Sequence, residues 1–229
     1  MGPRSNAFEE VVKNARRRAR REKRPVTYDD IESLLAGTKQ PRSTMLLRRM
    51  AVHEAGHAVA RLHFGFGPII EITIDAPDGG YTLGELGQDE QTEELLTTIL
   101  IEHLAGRAAE EEILSSATQN SGGSERSDLA IATRLALDME TILGFSPKWP
   151  LLYRKVESAA AILATDRELA DSVNARLDAA YKAARGLVAK QRAAIEFLAN
   201  TLVAQETLEG PELDAVLEQV RQKMVDAPE

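Results

Sequence analysis

The chain has 229 residues, of which 43% are hydrophobic and 28% are charged, so it is long enough to bury one or two hydrophobic cores. It has no cysteine, which excludes disulfides and thiolate metal sites, and any metal must be bound by histidine and carboxylate side chains. The net charge of −8 argues against a general nucleic-acid binder. The sequence shows neither a secretory signal nor an apolar run near the ~20 residues that cross a bilayer, so we predict a soluble, cytoplasmic protein.

The N-terminal residues are predicted to lie outside the main domain. Residues 1–7, "MGPRSNA", are typical of a vector or tag remnant. Residues 8–40 predict a basic helix, a break at Pro25 and a second helix that Thr27 caps. The basic run from Arg16 to Arg24 could bind nucleic acid or lipid, but such runs are more often a solvated helix face or contact another part of a larger protein. The acidic remainder of the chain favours that second interpretation, so no nucleic-acid partner is expected.

The next segments predict a helix, a hairpin and a second helix. Residues 45–64 are apolar enough for a core helix. Ile70, Ile72 and Ile74 then alternate with polar residues, and the turn sequence "PDGG" leads into a second strand. A helix over residues 92–114 follows, and a polar loop with two glycines ends before Asp128.

The rest of the chain is predicted to be helical. A helix over residues 128–143 is ended by Gly144 and Pro147. From Asp166 onward the pattern is helical almost throughout, and the main break lies where Gly210 ends one helix and Pro211 begins the next. The predicted fold class is therefore mainly α (α+β), with a small β-hairpin.

The segment "HEAGH" contains the most specific chemical signal in the chain. His53 and His57 stand four residues apart, so on a helix both imidazoles lie on one face and can bind one ion. Glu54 lies beside them, which is the H-E-x-x-H arrangement of a zinc peptidase with its general base. Alternatively, both histidines could be packed core residues. Burying two imidazoles and a carboxylate without compensation is costly, so the metal site is favoured.

A catalytic zinc site needs a third protein ligand, and the spacing does not decide which residue provides it. His63 lies on another face of the helix and is a poor candidate, whereas His103 is still a candidate for the third ligand. The carboxylates that could serve are Glu110, Glu111, Glu112 and Asp128. Asp128 leads a predicted inward-facing stripe that comprises Ile131, Leu135, Met139 and Ile142. Taken alone, however, an acid in the first turn of a helix is more often a capping residue.

Four segments, in this order, resemble the peptidase domain of the FtsH-type AAA+ zinc metalloproteases: "HEAGHAVA", "LAGRAAEEEIL", "GGSERSDLAIATRLALDM" and "TLVAQETLEGPEL". The resemblance covers about residues 48–229 and implies a zinc metallopeptidase domain over residues 45–229. It implies that His53, His57 and Asp128 are the zinc ligands and that Glu54 is the catalytic base. Glu110 and Glu111 then become supporting residues, and residues 8–40 resemble the last helices of the AAA+ lid.

The chain also departs from this family pattern. No G-x-x-x-x-G-K-[ST] motif and no membrane anchor occur in it, and the loop before Asp128 is longer than usual. We therefore expect a shortened member or a separated piece, in which ATP is bound only in a full-length context. The resemblance implies an endopeptidase for unfolded or translocated polypeptides, coupled to an AAA+ ATPase in a homo-hexamer that is commonly membrane-anchored. The alternative is a catalytically silent, peptidase-like assembly module, against which Glu54 argues because a structural site needs no base.

Overall fold

The computed structural model describes residues 3–28, 30–31, 42–76, 79–85 and 90–224, with the backbone alone for residues 3–11 and 120. The chain forms two compact units, residues 1–43 and residues 44–229.

The first unit contains helix α1 (Pro3–Arg21), which agrees with the predicted basic helix. After it, the Arg24 guanidinium binds the Asp30 carboxylate through two hydrogen bonds of 2.5 and 2.6 Å, and the Thr27 backbone amide donates to the same carboxylate at 2.9 Å. The hydrogen bonds from Arg24 hold the pKa of Asp30 far below its ordinary value. Most of the predicted second helix lies outside the described residues.

The second unit is built mainly from helices, as the composition predicted. These are α2 (Thr44–Phe64), α3 (Glu93–Leu114), α4 (Asp128–Thr141), α5 (Ala159–Thr165), α6 (Arg167–Lys190), α7 (Arg192–Gln205) and α8 (Gly210–Lys223). A 3₁₀ turn (Gln119–Ser121) lies in the loop between α3 and α4. Among the described residues, none of the helices combines the length and apolarity needed to span a membrane.

Helix α2 lies at the centre of this unit and packs mainly against α3 and α7. Every residue from Met50 to Arg61 is buried. Most of these residues are small or apolar, and the four polar ones buried among them are His53, Glu54, His57 and Arg61. At Gly56 the crossing with α3 is very close: a Cβ there would lie 2.7 Å from the carbonyl oxygen of Ala105. The absence of a side chain at Gly56 therefore lets α3 approach the part of α2 that carries both histidines.

The predicted hairpin is present, and it belongs to a three-stranded antiparallel sheet in the order β2-β1-β3. The strands are β1 (Ile69–Ala76), β2 (Gly79–Gly84) and β3 (Thr207–Glu209). Strand β3 lies inside the segment that was predicted only as a break between two helices. It is too short to show an alternating pattern, and its pairing of Leu208 with Ile72 depends on residues far apart in the chain.

Two elements differ in detail from what the sequence pattern suggests. In β1, the register shifts between Ile69 and Glu71, so Ile70 is 44% exposed while Ile72 and Ile74 are fully buried. A β-bulge changes the face on which the following residues lie, and an alternating pattern does not reveal it. In α4, Met139 is buried as predicted, but Ile131 is 40% exposed, and the buried face includes Ala132 and Ala136 instead of Ile131. The small side chains of Ala132 and Ala136 give a weaker hydrophobic signal than Ile131, so the sequence pattern did not identify this face.

Candidate metal centre

Three side chains bring ligand atoms together beside the centre of α2. The Nε2 atoms of His53 and His57 lie 3.2 Å apart. Oδ2 of Asp128, at the first residue of α4, lies 3.0 Å from Nε2 of His53 and 3.5 Å from Nε2 of His57. Among the described residues, these three form a cluster of histidine and carboxylate side chains that could hold a metal ion.

The partners of the other ring nitrogens determine which atoms face the cluster. Nδ1 of His57 lies 2.8 Å from the backbone carbonyl oxygen of Glu102, and Nδ1 of His53 lies 2.9 Å from Oε1 of Glu110. Both oxygens accept hydrogen bonds, so each Nδ1 carries the hydrogen and, in the neutral imidazole, each Nε2 presents its lone pair. Two lone pairs and a carboxylate oxygen therefore face one another, and this arrangement needs a positive charge between them.

The separations fit a zinc ion. With zinc bonds of about 2.0–2.1 Å in a tetrahedron, neighbouring ligand atoms lie about 3.3 Å apart. The observed separations of 3.0, 3.2 and 3.5 Å fall on both sides of that value. Two imidazoles and one carboxylate occupy three positions of a tetrahedron and leave the fourth open, as catalytic zinc sites require.

The electrostatics of the cluster also favour a cation. Burial by itself lowers the pKa of His57, but the carboxylates of Asp128, Glu54 and Glu102 together outweigh burial and raise that pKa to about 10. Burial raises the pKa of Asp128, whereas the two imidazoles lower it by more, so this pKa lies well below its ordinary range. The pocket therefore stabilises either protons on the imidazoles or a divalent cation, and the two compete for it.

Glu54 lies next to the cluster and is held against strand β2. Its side chain is buried, and its Oε2 accepts a hydrogen bond of 3.1 Å from the hydroxyl of Thr82. A Cβ on Gly80 would lie 2.6 Å from Oε1 of Glu54, so this close approach requires glycine at position 80. Burial raises the pKa of Glu54, which suits a carboxylate that must take up a proton near neutral pH.

The other sequence candidates lie away from the three ligand atoms. Glu110 is fully buried, but it contacts Nδ1 of His53, the ring nitrogen that faces away from the cluster. Glu111 pairs with Arg107 at 3.3 Å. The last three candidates have these contacts: Glu112 accepts a hydrogen bond from Arg185, His103 faces Glu102 at 3.8 Å, and His63 contacts the ring of Phe64.

Sequence reasoning missed the residues that shape and support the centre. Thr82 and the carbonyl group of Glu102 have no motif that would identify them. Gly106 leaves a weak signal, since a glycine inside a predicted helix often marks a close approach. In the structure it faces the two imidazoles, and a Cβ there would lie 2.7 Å from Nε2 of His53 and even nearer to Nε2 of His57.

We expect Gly106→Ala to weaken zinc binding by about tenfold or more, because the added methyl group occupies the space that the two Nε2 atoms face. The zinc content of the purified variant after gel filtration, and its chelator-competition affinity, measure the loss. Gly186→Ala on α6 is the matched control, since nothing lies within 4 Å of a Cβ there and zinc binding should not change. A Gly106→Ala protein that binds zinc as tightly as the wild type would contradict this placement of the metal.

Comparison with known proteins gives a consistent result. The family model described as "Peptidase family M41" matches residues 43–216. The "ATP-dependent zinc metalloprotease FtsH 1" of Sorangium cellulosum is 35% identical over 190 residues, which cover 74% of this chain and 29% of that protein. A protein of the same name from Symbiobacterium thermophilum is 37% identical over 179 residues, which cover 74% of this chain and 29% of that protein. The "ATP-dependent zinc metalloprotease FtsH" of Chloroflexus aggregans is 28% identical over 234 residues, which cover 91% of this chain and 35% of that protein. The chain thus spans about a third of the length of these curated relatives.

Proposed function

This chain belongs to peptidase family M41, and on that premise we propose that residues 45–229 form a zinc-dependent endopeptidase domain. The observation that carries the proposal is the convergence of three ligand atoms beside a buried carboxylate that is not one of them. A site that served only to hold the fold together would not need Glu54 in that position.

We assign the metal to Nε2 of His53, Nε2 of His57 and Oδ2 of Asp128. Zinc is the metal named in the curated relatives, and the donor atoms and their separations suit it. When bound, zinc supplies Lewis-acid chemistry that polarises a carbonyl group and makes water more acidic. Glu110 and the carbonyl group of Glu102 keep both imidazoles turned with Nε2 toward the metal position.

Glu54 is the proposed general base. The hydroxyl of Thr82 holds its carboxylate in place, and burial raises its pKa, which favours uptake of a proton by this carboxylate. It takes a proton from the attacking water as the peptide bond is attacked, and it delivers that proton to the nitrogen of the leaving amine. The alternative, a catalytically silent assembly module, gives Glu54 no such task.

The proposed substrates are unfolded or translocated polypeptides. Strand β2 lies at one edge of the sheet, and its residues Gly80 and Thr82 contact Glu54. An extended polypeptide that added to this edge through main-chain hydrogen bonds would therefore run close to the catalytic base. Main-chain pairing tolerates many side chains, which suits a protease that degrades unrelated unfolded proteins.

The wider setting is proposed from the relatives. Their names include the word "ATP-dependent", and they are about three times as long as this chain. We propose that the domain acts with an AAA+ ATPase in a homo-hexamer on the cytoplasmic side, and that ATP is bound by the ATPase part of such an assembly. The assignment of residues 8–40 to the AAA+ lid remains a prediction.

Metal removal tests the proposed function. The chain, joined to an ATPase module so that it can assemble, should degrade fluorescently labelled casein, lose that activity after treatment with a chelator, and regain it with Zn²⁺. Magnesium added to the chelator-treated protein serves as the control and should not restore cleavage, since the donor set of two imidazoles and one carboxylate suits zinc. A zinc-loaded assembly that leaves casein intact would favour the silent module, and chelator-resistant cleavage would refute a metal mechanism.

A further inference from the structure

We infer that Arg49 is a positioning residue of the metal centre: it holds Glu110 against His53 and ties α2 to the loop that leads to Asp128. The inference rests on the proposed zinc ligands and concerns a residue that no motif in the sequence identifies.

Arg49 lies four residues before His53, one turn earlier on the same face of α2. Its Nη1 donates to Oε2 of Glu110 at 3.0 Å and also to the backbone carbonyl oxygen of Ser116. Its Nη2 donates to the hydroxyl of Ser116 at 3.0 Å. The planar guanidinium group can reach the carboxylate and the loop together, which a single ammonium group cannot do equally well.

Glu110 has unequal partners on its two oxygens. Oε2 accepts hydrogen bonds from Arg49, from the backbone amide of Thr118 and from the hydroxyl of Thr118, each at 3.0 Å. Oε1 contacts Nδ1 of His53 at 2.9 Å. The three donors on Oε2 therefore fix the direction in which Oε1 points, and this contact in turn fixes the ring of His53. The Glu110 side chain is only 1% exposed, so water cannot easily replace a lost donor.

Arg49 also connects two parts of the chain that each supply ligands. Ser116 and Thr118 lie just after the end of α3, in the loop that runs to Ser127, the capping residue of α4. Asp128 follows Ser127 directly. Holding the start of this loop against α2 therefore helps to keep Asp128 in register with the two histidines.

The neighbouring residue Arg48 is a natural control. It has the same side chain on the same helix, but its Nη1 donates to Oδ1 of Asn200 on α7 at 2.6 Å. Loss of Arg48 removes a positive charge and an interhelical hydrogen bond without touching Glu110. Any difference between the two variants therefore isolates the contacts with Glu110 and the loop.

The test is the zinc affinity of the whole chain, measured by competition with a chromophoric chelator on metal-free protein. We expect Arg49→Met to weaken binding of Zn²⁺ by about tenfold, the lower end of the losses seen when a partner of a metal ligand is removed. Arg49→Lys should recover part of this loss, and Arg48→Met should bind as the wild type does. Glu110→Gln should weaken binding as well, and the double variant should be little worse than the weaker-binding single variant, because both changes break one network.

Each other result overturns a defined part of the inference. If Arg49→Met binds zinc as tightly as the wild type, or if Arg48→Met weakens binding equally, Arg49 has no positioning role. Additive losses in the double variant would show that Arg49 and Glu110 act independently, and would refute the proposal that Arg49 positions His53 through Glu110. Far-UV circular dichroism of the metal-free proteins identifies a misfolded variant. If Arg49→Met misfolds, the zinc affinity of Arg49→Lys decides the question in its place. A wild type that binds no zinc would instead refute the ligand set, and the role of Arg49 with it.

Discussion

We expect Glu54→Gln to bind zinc with the affinity of the wild type and to lose peptide-bond cleavage by about 10²- to 10⁴-fold, the usual contribution of a general acid–base group. Glutamine has nearly the same shape, and its side-chain oxygen can still accept the hydrogen bond from Thr82. It cannot take up a proton from water. Initial rates of casein cleavage at equal zinc loading measure the loss.

Glu111→Gln is the matched control for this variant. Glu111 is a partly exposed carboxylate on α3 that pairs with Arg107, and its loss should leave both zinc content and cleavage unchanged. If Glu54→Gln kept more than about a tenth of the wild-type rate, general-base catalysis by Glu54 would be refuted. If it lost zinc, Glu54 would be a ligand and the assignment of the three donors would have to be redrawn.

Asp128→Ala should lose zinc by more than about 100-fold in affinity, because removing a ligand costs more than removing a partner of a ligand. The structure places Oδ2 of Asp128 within 3.5 Å of both imidazole Nε2 atoms, and in the part of the chain that the structure describes no other carboxylate belongs to the group. Cleavage should fall with the zinc. Metal analysis of the gel-filtered protein, followed by chelator competition, provides the measurement.

Glu111→Ala tests the main competing assignment from the sequence and should remain fully loaded with zinc. Metal loss in the Glu111 variant alone would overturn the choice of Asp128 as third ligand. Loss in both variants would show that the affinity depends on the general negative charge of this region. Retention in both would exclude either carboxylate as an essential ligand.

Several features of the fold could be predicted because they depend on residues close together in the chain. The spacing of His53 and His57 places two imidazoles on one helix face whatever surrounds the helix. The turn sequence between the two strands predicted the hairpin, and the sequence pattern predicted α2, α3 and α4 within two residues of their bounds. The boundary between α6 and α7 was not predicted. The mainly α fold class is therefore confirmed.

Other features required the tertiary structure. Strand β3 is three residues long and exists through its pairing with β1. The β-bulge turns Ile70 to the surface although the pattern placed it with Ile72 and Ile74. Arg48 and Arg49 are equivalent in the sequence, and only the packing of α2 against α3 and α7 directs one to Glu110 and the other to Asn200.

The sequence by itself determined that His53 and His57 share one helix face with Glu54 beside them, and it provided a short set of candidates for the proposed third ligand. Reasoning from spacing could not choose among those candidates, because Asp128 and Glu110 lie 75 and 57 residues from His53 in the chain. The close crossing of α2 and α3 at Gly56 brings Glu110 to the outer nitrogen of His53, and the loop after α3 returns Asp128 to the inner nitrogen. Periodicity describes neighbours along one helix, whereas a metal site is completed by side chains that only the packing of separate helices brings together.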